Sequence, residues 1–89
     1  MAPKWLGSSE KHGVPKGDQI YAILNASFTT ELVGEAKVGR IMLYIGPAHA
    51  QTNRELEILV HEFPETGQEA IIFHAMDLGP KFRRLREES

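Results

Sequence analysis

The segment IIFHAMDLGPKFRRLREE, residues 71–88, joins an apolar run to His74 and then to Lys81, Arg83, Arg84 and Arg86. An imidazole exchanges a proton near neutral pH, and guanidinium and ammonium groups hold phosphate oxygens. Together they are the ingredients of phosphodiester chemistry. A second set, Lys11 and His12, stands near the other end of the chain. Plainer readings stay open beside this one. His74 also suits a half-exposed strand, and the basic segment suits a solvated helix face whose cations complement a helix C-terminus. Lys11-His12-Gly13 suits a charged helix end with a glycine cap. Lys81 falls in the first helical turn, where a cation opposes the helix dipole, and that misfit favours a role outside the helix.

These groups must be positioned by elements that the pattern of residues predicts. Residues 1–7 read as a loose lead-in carrying one aromatic anchor, Trp5, and Ser8 to Gly13 as one helical turn with a glycine stop. Pro15 opens a helix over about residues 16–25, on which Ile20, Ile23 and Leu24 share a face. Strands follow over 27–33, 40–46, 55–63 and 68–76, separated by Gly- and Pro-containing connections. Gly79-Pro80 opens a terminal helix with Leu78, Phe82 and Leu85 in one stripe. The expectation is a single domain of residues 1–89 with an α+β fold. N-terminal helices pack on a mostly antiparallel four-stranded sheet in two layers, with a basic C-terminal helix.

Strand alternation then orients His74. If Phe63 pairs with Gln68, His74 lies opposite Glu57, and a two-residue change in loop length moves its partner to Glu55 or Leu59. In each case Ile71, Phe73 and Ala75 share the core face with Leu56, Ile58 and Val60. His74 then points the other way, with Ile72, Met76, Glu57 and His61. A carboxylate beside an imidazole favours its charged form, so His74 and Glu57 are the candidate acid–base pair.

Composition narrows the classes. The chain has no cysteine, which removes disulfides and thiolate zinc sites. His49, His61 and His74 are twelve or thirteen residues apart, a spacing that fits no local metal-ligand pattern, and no metal or cofactor is expected. Nucleotide-cradling glycine motifs and a serine nucleophile elbow are absent. With no apolar run near ~20 residues and no signal-peptide stretch, a cytoplasmic protein that avoids the membrane is expected. Net charge is −2, so positive charge is local rather than global. Residues 77–89 hold four cations against Asp77, Glu87 and Glu88, whereas residues 27–76 hold three cations against seven glutamates.

The Lys11-His12-Gly13-Val14 block before a helix, the meander ending in Ile71-Ile72-Phe73-His74-Ala75-Met76, and the basic terminal segment resemble the BrnT-type toxins. These are small ribonuclease toxins of type II toxin–antitoxin systems with a RelE-like α+β fold. The resemblance spans roughly residues 10–86 in layout. The final strand of that family ends in Ser-Ala-Arg where this chain has His74-Ala75-Met76, so phosphate binding would pass to Lys81, Arg83 or Arg84. It implies a metal-independent endoribonuclease, for which strand parity and charge segregation nominate His74 and Glu57 in catalysis, with Lys11 and His12 as a second cluster. RNA and a cognate antitoxin protein would be its partners. The reading from another class is a non-catalytic module that binds a protein partner through its basic C-terminal helix and a sheet edge. Exposed strand edges leave a homodimer open.

Overall fold

The computed structural model describes residues 3–89, so the first two residues of the expected lead-in lie outside the described residues. The chain enters through a two-residue strand, β1 (Lys4–Trp5), and a single 3-10 turn over Gly7–Glu10. Helix α1 (Lys16–Leu24) follows, started by Pro15. Then come β2 (Phe28–Glu31), β3 (Arg40–Pro47), β4 (Glu55–Phe63) and β5 (Gln68–Asp77). Helix α2 (Pro80–Glu87) ends the chain, with Pro80 at its first position where the missing N–H costs nothing. No helix among the described residues is long and apolar enough to cross a membrane.

The sheet has five strands in the order β1-β5-β4-β3-β2. Strands β2 to β5 form an antiparallel meander, as their short connections require. Strand β1 lies parallel to β5, with Lys4 beside Ile71 and Trp5 beside Ile72. The expected four-stranded antiparallel sheet is therefore corrected to a five-stranded mixed one. Two residues are too few to show an alternation, and β1 exists because tertiary contacts hold it. Leu6 N–H donates to Ile72 O at 3.0 Å, and Trp5 packs on the core beneath α1. The expected group of N-terminal helices also reduces to α1 alone, preceded by a strand and one 3-10 turn.

The two helices cover opposite faces of the sheet, which makes three layers rather than two. Ala22, Ile20 and Ile23 of α1 pack with Leu56, Ile58, Val60, Ile72 and Ala75. On the other face, Leu78 and Phe82 meet Leu43, Ile45 and Leu59. Glycine is needed where α1 crosses β3, because a Cβ on Gly46 would overlap the Ala22 carbonyl. Leu24, expected on the apolar stripe of α1, is 78% exposed, and the buried positions are Gln19 and Ala22.

Strand β5 does not keep a simple alternation. Phe63 does pair with Gln68, but the register slips between His61 and Phe63 and again between Leu59 and Val60. Each one-residue slip exchanges the faces, so two restore the original parity. His74 consequently lies opposite Leu59, on the α2 face. The intervening residues differ from expectation. Ile72 pairs with Val60 and is buried under α1, whereas Ile71 pairs with His61 and lines a cleft on the α2 face with Phe73.

Candidate active site at the end of β5

Glu57 is a carboxylate on a strand interior that is only 4% exposed. Burial of a charge demands partners, and both of its oxygens have them. Oε2 accepts from His74 Nε2 at 2.7 Å, and Oε1 accepts from the Gly79 backbone N–H at 2.8 Å. Gly79 is the N-cap of α2, so the carboxylate also lies at the positive end of that helix. A carboxylate can only accept, which places the imidazole proton on Nε2 and leaves Nδ1 with its lone pair. His74 remains part-exposed, with 24% of its side chain accessible. It is thus an imidazole fixed at Nε2, with no protein hydrogen bond at Nδ1 among the described residues.

His12 joins this pair from the opposite end of the chain. Its ring centroid is 5.9 Å from that of His74, with the planes at 77°. Such an edge contact leaves no space for phosphate between the rings, so a substrate would reach both from their open side. The segment carrying His12 is held at each end. The side-chain amide of buried Gln19 donates to Ser9 O at 3.3 Å and Val14 O at 2.9 Å, while its oxygen accepts from Trp5 Nε1 at 3.0 Å. Ser8 Oγ donates to Phe73 O at 2.6 Å, tying the 3-10 turn to β5 beside His74. Gly13 turns the chain back with φ of +72°, a conformation that residues with a Cβ rarely adopt.

The expected cations divide. Lys11 is exposed beside His12. Arg83 is exposed, and Nη2 folds back to donate to Leu78 O at 3.4 Å, one residue before the Gly79 contact. Lys81 stands at the first turn of α2, its Nζ 5.2 Å from the Phe82 ring centroid. Arg84 lines a groove with Thr30, Glu31, Glu88 and Lys81 toward β2, three strands away from β5. Arg86 is held by Glu55 at 2.6 and 3.2 Å, and this bidentate hydrogen bond raises its pKa above the ordinary guanidinium value. Met76, at the position of the family's arginine, lies opposite Glu57 and packs near Gly79.

The remaining histidines are placed elsewhere. His49 is exposed in the β3–β4 connection. His61 Nε2 lies 2.6 Å from Val38 O, and its ring packs on Phe63. Among the described residues no group of three or more His, Asp or Glu side chains is arranged to hold a metal ion. Toward the other sheet face, Tyr44 donates to Glu62 at 2.6 Å, and Arg40 holds the same carboxylate at 2.9 Å. Burial first, and then the bond to Glu62, push the Tyr44 phenol up to about 12.

Gln19, Trp5 and Gly79 position the site, and sequence reasoning did not single them out for that. One signal was present: Gln19 occupies the face of Ala22 and Ile23 at i+3 and i+4, where a polar residue must find buried partners. No protein-family model, curated protein or solved structure matches the chain.

Proposed function

We propose that this protein is a metal-independent endoribonuclease of the type II toxin class, resembling the BrnT-type toxins. The single observation that supports it is His74, held by Glu57 at 2.7 Å on one side and met by His12 at 5.9 Å on the other. Attack of a ribose 2′-hydroxyl on the adjacent phosphorus needs a base, an acid and positive charge over the phosphorane. In this reading Nδ1 of His74 takes the hydroxyl proton, and Glu57 stabilises the imidazolium that forms. His12 in its protonated state returns a proton to the leaving 5′-oxygen. Arg83, Lys81 and Lys11 supply charge from the rim, and Arg84, which faces β2, takes no part. The protein works in the cytoplasm, opposed by a cognate antitoxin.

Purified protein incubated with total RNA in EDTA should degrade it. His74→Ala and His12→Ala should each slow cleavage by about 10²–10⁴-fold, the usual contribution of a positioned acid or base. Wild-type protein that leaves RNA intact and, freed of any antitoxin, does not slow growth would remove the proposal. A second reading draws on the far edge of the sheet. Strand β2 is short and open, Val33 beside it is 83% exposed, and the groove against α2 carries Arg84 and Lys81. That surface suits a protein partner, and in the toxin reading the partner is the antitoxin.

A further inference from the structure

Of the clefts among the described residues, three differ in charge: one on the α1 face, one toward β2, and one lined by Phe73, the residue before His74. The first is lined by Trp5, Ile20 and Ile23 with Glu62 and Glu69 at its edge, and the second carries Glu31, Glu35 and Glu88 beside its cations. The third, about 520 Å³, lies between the start of α2, the β2–β3 connection and the 3-10 turn. That volume falls in the range of small-molecule sites, about 300–1,000 Å³. Its apolar floor includes Leu59, Ile71 and Phe73, and Lys37 and Lys81 stand at its rim with Glu35 as the single carboxylate. Neither lysine takes part in an ion pair among the described residues.

This cleft adjoins the candidate active site. Leu59 is the cross-strand partner of His74, Phe73 precedes it, and Ser8 both lines the cleft and bonds Phe73 O. The register slip at β5 is what places the half-buried Phe73 ring in this cleft, although simple alternation would send it to the α1 face. An aromatic face beside two cations is the combination that receives an unpaired base and its phosphate. We propose, resting on the ribonuclease reading, that this cleft is the subsite for one nucleotide of single-stranded RNA next to the phosphate handled at His74. The base stacks on Phe73 and the backbone passes between Lys37 and Lys81.

A labelled single-stranded deoxyoligonucleotide lacks the 2′-hydroxyl and cannot be cleaved by this chemistry, so its fluorescence anisotropy reads binding alone. Phe73→Leu and Lys37→Glu should each weaken binding about tenfold, and His49→Ala, in the exposed β3–β4 connection, should leave it within about twofold. Circular dichroism confirms folding, and Lys37→Glu, at an exposed position, carries the test if Phe73→Leu does not fold. Binding that ignores both substitutions overturns the subsite. So does displacement by an acidic peptide as strong as that by the oligonucleotide, since a purely ionic patch has no need of an aromatic ring. Binding that responds as stated without RNA cleavage keeps the subsite and removes the ribonuclease. Cleavage at the wild-type rate in both variants does the reverse.

Discussion

At the scale of single residues, Glu57 does two things that a surface carboxylate cannot. It fixes the protonated nitrogen of His74 and caps the start of α2 through Gly79. Glu57→Gln keeps the shape but allows an amide N–H to face His74 and reverse its tautomer. Cleavage should then fall by at least about 10²-fold, with stability reduced by about 1–2 kcal/mol for the lost charge-assisted bonds. Equal stability loss with cleavage intact, read by urea unfolding and a gel assay, would reduce Glu57 to a helix anchor. Gln19 is fully buried, with three partners. Gln19→Leu strands the Trp5 indole N–H and should cost about 1–3 kcal/mol in urea unfolding. Tyr44 makes a pH prediction. Its folded pKa of about 12 exceeds the unfolded value of 10.0, so the native state binds the extra proton. Its contribution is complete below about pH 10 and declines as pH rises toward 12. Tyr44→Phe should flatten that decline in denaturation midpoints measured across the same range.

At the scale of elements, α1, β3, β4, β5 and α2 were legible because each carries a continuous apolar pattern or a Pro and Gly boundary. His74 was correctly placed on the face away from Leu56, Ile58 and Val60, although the intermediate steps were not. One slip moves Ile72 inward, the next inserts Phe73, and neither leaves a compositional mark. The pairing with Glu57 survives only as a diagonal contact, since Leu59 is the residue opposite. Strand β1 was illegible for a different reason: its stability lies in contacts with Ile72 and Gln19, distant in sequence. The α1–β3 contact at Gly46 is equally non-local. Gly46→Val should force the helix off the sheet and cost about 1–3 kcal/mol or more, seen as a lowered urea midpoint. A midpoint within about 0.5 kcal/mol of wild type would show that α1 packs elsewhere.

At the scale of the whole molecule, the candidate site forms where two distant segments meet. His12 arrives with the N-terminal segment, and His74 with the last strand. Trp5 is the one tryptophan and sits on that seam, against Gln19 and with Lys16 5.2 Å from its ring. Its fluorescence should report unfolding at the same denaturant concentration as backbone circular dichroism if the seam belongs to the cooperative unit. An earlier fluorescence transition would show the N-terminal segment detaching first, and His12 with it.

The second slip gives β5 a residue to spare. Phe73 has no partner on β4, so removing it alone would join Ile72 to the imidazole at position 74 in regular alternation and leave that imidazole opposite Leu59. Removing Ala75 alone, with both ends of the ladder kept, would instead draw the imidazole opposite Ile58, in among the aliphatic groups beneath α1. Of these two deletions of equal size, the second should therefore be far the more damaging.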